Sequence, residues 1–396
     1  MKDNLFALDF LRALAIVCIL ITHVAIYLVS GPFKLFLYSF NPYFANIGLG
    51  LFLFISGYLM YHNNPSLNTI GAVATFYKKR ILRIFPLYWI AIVLFVIIFA
   101  WLNLPTVYST GSSSQMFSLT NILITALGLQ IFLSPSYAIP IFTLYFVGVI
   151  LLCYYLYPLI IHYSDNFTSI VCCSGLIFVL FIIIHVQFNI IGNQFFLFYP
   201  IFISGISARY LSINTESLTP LFFALLPVVL VLLLIIESRT TLIFDDRVMI
   251  SIRIPNMGVV SQDSVNRLLQ NIGTFTGISV DTLKSIITDI LVDLFVISFC
   301  IIQLIFSQLY AEYIKGTAHS LIIFLSAGSY CIYLFHDPLL TFWTIEIVPW
   351  VQIPVIQDFL TFLLAIPAII IASYYLQRAY SSIGKKISVS FCNKIK

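Results

Sequence analysis

Three ionisable side chains, Asp9, Arg12 and His23, fall in one otherwise apolar stretch near the N-terminus, LDFLRALAIVCILITHVAIY. In a helix Arg12 and His23, eleven residues apart, are separated by three turns plus about 20°, with a rise of about 16 Å. Asp9 precedes Arg12 by three residues, so the two can pair, and it shares the same face within about 40°. An ionisable group inside a bilayer costs about 2.5–3.5 kcal/mol or more, so this polar stripe is expected to face protein or water. A histidine, much of it neutral at cellular pH, suits general-base activation of a hydroxyl. An arginine beside it can hold the base, bind a donor or stabilise an oxyanion. A plainer reading of the same residues is an interfacial Asp9–Arg12 anchor and a packing histidine.

Three further segments carry chemistry-bearing residues. In YKKRILRIFPLYW, Lys78, Lys79, Arg80 and Arg83 precede Pro86, Tyr88 and Trp89. Arg80 and Arg83 project from one side of a helix and together suit a phosphate, although positive charge followed by an aromatic belt also arises at any membrane edge. In SYCIYLFHDPLL, Tyr330, Tyr333, His336 and Asp337 are followed by Pro338. A proline there interrupts the backbone hydrogen bonding, and the freed carbonyls need protein or water around them, which places His336 and Asp337 beside a cavity or against another helix. In LGLFLFISGYLM, Ser56 and Gly57 permit close helix approach. His62, His162, His185 and His319 lie near the ends of apolar runs, and no role is assigned to them.

The elements that position these groups follow from composition. The 396 residues are 61% hydrophobic and 9% charged, with mean hydropathy +1.06, so lipid and not one water-soluble core must cover the apolar surface. Ten runs are long enough to cross about 30 Å of hydrocarbon, near 7–29, 44–61, 84–102, 138–161, 168–186, 195–211, 219–236, 289–310, 320–345 and 355–377. The expectation is an all-α, polytopic single membrane domain over 1–396 with both termini cytoplasmic. Thirteen of the nineteen basic residues then lie inside, among them Arg12, Lys78, Lys79, Arg80, Arg83, Arg209 and the tail 378–396.

Two extracytoplasmic segments result. The first, 103–137, is Ser-rich at 110–114 and continues into an apolar run, Asn121 to Leu133, that is too short to span and reads as interfacial or re-entrant. The second, 237–288, holds Asp245, Asp246, Arg247, Arg253 and Asp263, with a helical apolar face between Val259 and Ile272 that suits a lid, an acceptor-recognition element or a structural cap. Asp281 is placed to cap a helix starting at Thr282. The net charge of +4 follows from the inside–outside asymmetry, so no nucleic-acid partner is expected. Of the seven cysteines, six fall in spans and Cys392 in the tail, which gives neither a disulfide pair outside nor a zinc spacing, and no metal is expected. The first span carries Asp9 and Arg12 and lacks a small-residue cleavage site, so it is expected to be retained.

In this order and spacing the segments resemble the acyltransferase-3 family of membrane O-acyltransferases. The likeness rests on Asp9, on Arg12 and His23 with ten residues between them, on LFLFISGYLM, on Arg80, Arg83, Pro86, Tyr88 and Trp89, and on Tyr333, His336 and Pro338. It implies a bundle of about ten helices in the plasma or inner membrane, acyl-CoA (acetyl-CoA by expectation) as co-substrate bound from the cytoplasm, no permanent cofactor, and a carbohydrate or lipid-linked glycan as acceptor. His23 would be catalytic with Arg12 and Asp9 in support. Arg80, Arg83, Tyr88 and Trp89 would bind the donor, with Ser56, Tyr333, His336 and Asp337 lining a cavity. One departure stands out: TLYFVGVILLCYYLYPLI keeps Tyr157 and Pro158 but has Ile150, Leu151 and Leu152 where the family often carries a polar group. A glycan or lipid exporter, or a non-catalytic component of a polysaccharide-synthesis complex, are the competing readings.

Overall fold

A computed structural model of the protein describes residues 2–28, 34, 37, 41–102, 116–164, 166–211 and 280–394, with isolated positions between 220 and 270. Among these the chain is all-helical, with no strand. In chain order the helices are α1 (Lys2–Tyr27), α2 (Asn41–Asn63), α3 (Ile70–Trp101), α4 (Leu119–Ala126), α5 (Tyr145–His162), α6 (Phe167–Phe188), α7 (Asn193–Tyr210), α8 (Val280–Tyr310), α9 (Gly316–Phe342), α10 (Pro354–Leu360) and α11 (Ile366–Lys394).

Side chains set several boundaries. Thr69 accepts from the Ala72 amide at 3.2 Å to start α3, and Ser118 does the same for Asn121 at the start of α4. Asn166 and Ser169 form a reciprocal capping box on α6, each satisfying an amide the helix leaves unpaired. At its other end Asn189 adopts a left-handed conformation, φ 50°, which asparagine tolerates better than most residues.

Eight helical segments among the described residues are long and apolar enough to cross a membrane, and they match eight of the ten expected runs. The run at 195–211 forms α7, an 18-residue helix whose Asn193, Gln194, Ser204 and Arg209 dilute its apolar character. The run at 219–236 lies mostly outside the described residues, as do the Ser-rich stretch, the acidic and basic residues expected in 237–288, and the side chain of Cys392. The helix expected from Thr282 starts at Val280, so Asp281 lies within its first turn and does not precede it.

Burial is inverted relative to a water-soluble protein. Leu176, Ile183 and Val186 of α6 are exposed, while His336, Asp337, Ser326 and Ser329 of α9 are buried. Helix α1 packs against α2, α8 and α9, and α2 crosses α7 with almost no side-chain layer between them. A Cβ at Gly57 would overlap the Phe202 carbonyl, and one at Gly205 would overlap that of Phe54. Such backbone-to-backbone contact is how membrane helices associate when lipid removes the hydrophobic drive.

The segment expected to be re-entrant is a short helix, α4, followed by turns that re-enter the protein. Asn121 is buried and donates to the carbonyls of Met116 and Ile139 at 2.6 and 2.8 Å. Its own side-chain oxygen accepts from the Ile139 amide at 2.9 Å. Backbone bonds join Ile191 to Phe132 and Gly192 to Ile131, so these amides of the irregular backbone are satisfied by protein. Pro338 removes one backbone donor without ending the helix: α9 runs through it to Phe342, and a π-turn follows at Trp343–Ile347. Side chains engage carbonyls near the proline, His336 Nδ1 donating to Tyr333 at 2.8 Å and Thr341 to Asp337 at 2.8 Å.

Candidate active site

Helices α1 and α9 lie side by side and bring together two polar stripes from opposite ends of the sequence. On α1 Asp9 Oδ1 and an Arg12 guanidinium nitrogen are 3.2 Å apart, and Ser326 of α9 donates to the same carboxylate oxygen at 2.6 Å. Farther along both helices the His23 and His336 rings meet edge to face, 4.4 Å between centroids. Beyond them the Tyr27 hydroxyl donates to Asp337 at 2.8 Å and lies 2.6 Å from the Thr341 hydroxyl.

The hydrogen bonds fix the chemistry of the two imidazoles. His23 Nδ1 sits 2.9 Å from the Ile19 carbonyl, and His336 Nδ1 lies beside the carbonyls of Tyr333 and Ile332. A carbonyl only accepts, so each Nδ1 carries the proton and each Nε2 of a neutral ring presents a lone pair. His336 is fully buried, and its Nε2 has no hydrogen-bond partner among the described residues.

Two adjoining cavities open beside this pair of helices. A wide one, about 610 Å³, is bordered by Asp9, Arg12, Arg83, Ser326, Gln377 and Tyr380. A narrow one, about 120 Å³, penetrates between α1, α2, α3, α5 and α9, with Arg12, Ser56, Arg80, Arg83, Tyr154 and Tyr333 in its wall. Arg12, Arg83, Ser329 and Tyr330 border both, so the wide cavity leads into the narrow one. Three guanidinium groups converge here against one carboxylate, Asp9. Among the described residues Arg80 Nε has no hydrogen-bond partner, and its guanidinium rests over the rings of Phe76 and Tyr154 at 5.5 and 5.7 Å. The partly buried Arg80, with its Nε unsatisfied, and the exposed Arg83 beside it form a pair that an incoming phosphate would complete.

Arg12, Arg80, Arg83, Ser56 and Tyr333 thus share one cavity, Asp9 borders its approach, and His23 and His336 pair just beyond its walls. Tyr88, Trp89 and Asp337 line neither cavity. Tyr88 is fully buried and its hydroxyl accepts from Gln130 at 2.8 Å. Trp89 is half exposed and donates to the Ala126 carbonyl at 2.9 Å. Both residues tie α3 to the segment that contains α4 and the turn after it.

Sequence reasoning missed Ser326, Ser329 and Gln130. The first two had a signal: Ser326, Ser329, Tyr330, Tyr333, His336 and Asp337 recur at three- and four-residue intervals, one face of α9. Gln130 had none, since only the turn after α4 delivers its amide to the interior. Ile150 lines the narrow cavity and Leu151 and Leu152 are buried, so at these three positions α5 offers no polar group, and its polar contribution to the cavity wall is the Tyr154 hydroxyl. The buried Gln130 amide packs against Gly148 of that helix and donates to the Leu144 carbonyl.

Comparison with known proteins gives one match. No curated protein and no solved structure matches the chain. The profile of the acyltransferase-3 family, described as an acyltransferase domain, matches residues 5–378, a range that holds His23, His336 and the cavity residues named above except Tyr380. The chain therefore belongs to the acyltransferase-3 family and is a multi-pass membrane acyltransferase.

Proposed function

We propose that the protein takes an acyl group, acetyl by expectation, from cytoplasmic acyl-CoA and transfers it to a hydroxyl of a cell-surface or lipid-linked carbohydrate at the plasma or inner membrane. The observation that carries this reading is the joined cavity: three arginines at one end and, behind its far wall, two histidines with their Nε2 lone pairs undirected to any carbonyl. Positive charge without matching carboxylates suits the donor's phosphates, and a neutral imidazole suits deprotonation of an alcohol.

In this reading Arg80 and Arg83 hold the nucleotide end of the donor and the thioester arm extends along the cavity. The acceptor hydroxyl attacks the thioester carbonyl while His23 Nε2 takes its proton. The tetrahedral intermediate collapses to the ester, the C–S bond breaks, and the CoA thiolate recovers the proton from His23. Arg12, aligned by Asp9 and through it by Ser326, supplies positive charge on the donor side of the site. The bond from His23 Nδ1 to Ile19 holds the ring in the tautomer that the base needs.

Sealed vesicles containing the protein, supplied with labelled acetyl-CoA on one face and glycan acceptor on the other, test the proposal. The expected result is label on the glycan only when donor is present on the face bearing the N-terminus. Glycan movement across the vesicle without donor, and with no label transferred, would instead establish export.

A further inference from the structure

Every helix that walls the narrow cavity on the histidine side ends its contribution in an aromatic ring. On α2 the lining residues run from Met60 to Phe52, on α5 from Tyr154 to Phe146, and on α9 from Ser329 to Tyr333. Helices α2 and α5 run parallel, since Ser56 meets Tyr154 at 3.3 Å and Phe52 meets Phe146. Helix α9 runs the other way, so the three rings fall at one depth. They touch mutually: ring centroids are 6.4 Å apart for Phe52 and Phe146, 6.3 Å for Phe52 and Tyr333, and 5.4 Å for Phe146 and Tyr333.

This wall is held in place from behind. The Tyr333 hydroxyl donates to the Thr143 carbonyl, in the short 3-10 turn that leads into α5. Phe146 packs edge-on against Phe198 of α7, 5.9 Å away. On its far side Tyr333 lies 5.9 Å from the His336 ring, which in turn meets His23. All the arginines of the cavity lie at its opposite end.

We propose that Phe52, Phe146 and Tyr333 form the end wall of the acyl site and set the length of the acyl group the protein accepts, admitting a short group such as acetyl and excluding longer chains. The inference rests on the reading of the cavity as the acyl-CoA site. A donor anchored by its phosphates on Arg80 and Arg83 brings the distal end of its arm to these rings. Each additional methylene must then displace a ring that three helices fix, and one methylene in such a pocket is worth about 10- to 200-fold.

The test is binding of CoA, acetyl-CoA, butyryl-CoA and hexanoyl-CoA to the purified full chain in lipid nanodiscs, measured calorimetrically for the wild type, Phe146→Ala and the milder Phe52→Leu. In the wild type butyryl-CoA should bind at least about tenfold more weakly than acetyl-CoA. Either variant should close that gap to about threefold or less while retaining its affinity for CoA. An equal gap in all three proteins, or wild-type binding of butyryl-CoA as tight as that of acetyl-CoA, would overturn the size limit. Folded protein that binds none of the four would remove the donor site itself, and the proposal with it. The two failures are distinguishable because the CoA portion is common to every ligand.

Discussion

Replacing Arg80 by methionine should move donor affinity and stability in opposite directions. Arg80 and Arg83 are three residues apart on α3, which sets their Cβ atoms about 5–6 Å from each other. At about 6 Å two like charges repel by roughly 0.7 kcal/mol in water and about 3 kcal/mol at an effective dielectric of about 20. Arg83 is exposed and Arg80 partly buried, so a figure near 1 kcal/mol is appropriate. The unpartnered Arg80 Nε adds about 1–3 kcal/mol of desolvation cost. The stacking on Phe76 and Tyr154 returns about 0.5–1 kcal/mol for each ring. Methionine keeps much of the volume and removes the charge, so unliganded stability should be unchanged or raised by up to about 3 kcal/mol. Loss of a charge-assisted bond to phosphate, about 1.5–3 kcal/mol, should weaken CoA binding about 10- to 150-fold. Thermal unfolding in nanodiscs and calorimetric CoA titration read the two effects. A variant that melts well below the wild type yet binds CoA equally would refute the argument and make Arg80 a structural anchor.

Other substitutions probe the supporting contacts. Ser326→Ala removes the 2.6 Å bond to Asp9 and should lower the acyl-transfer rate by about tenfold, as expected for one hydrogen bond to a charged group, with an unchanged melting temperature; lost stability with unchanged turnover would count against the positioning of Arg12. Gly57→Ala drives a methyl into the Phe202 carbonyl and should cost about 1–3 kcal/mol in thermal unfolding, because backbone cannot swing aside as a side chain does; an unaltered transition would mean that the α2–α7 crossing is looser than the structure has it. Tyr88→Phe and Trp89→Phe should leave CoA affinity unchanged, and a marked loss in either would return these residues to the donor site.

The helical class and the stripe on α1 were legible because both follow from local rules. Apolar run length announces a span, and the spacing of Asp9, Arg12 and His23 puts them on one face whatever the rest of the fold does. The 3.2 Å Asp9–Arg12 pair is the direct consequence. The His23–His336 contact was out of reach because it depends on how α1 and α9, more than 300 residues apart, register against each other. The contacts of Tyr88 and Trp89 with Gln130 and Ala126 were out of reach for a related reason: aromatic residues after a basic cluster look the same whether they point at a cavity or at a neighbouring turn. Gln130 and Asn121 sit in a stretch whose apolar composition hides the buried amides that pin it. Pro338 removes one backbone donor from α9 without ending the helix, and the residues around it are buried.

The central claim is that His23 is the base in an acyl transfer fed from the arginine-lined cavity. Its most direct measurement is transfer of labelled acetyl from acetyl-CoA to surface glycan by membranes holding equal amounts of wild type or His23→Gln, with CoA affinity measured on the same proteins. The expected result is a rate lower by at least about 100-fold with CoA affinity retained, because His23 lines neither of the cavities proposed to take the donor. Undiminished transfer by His23→Gln would contradict the assignment of the base.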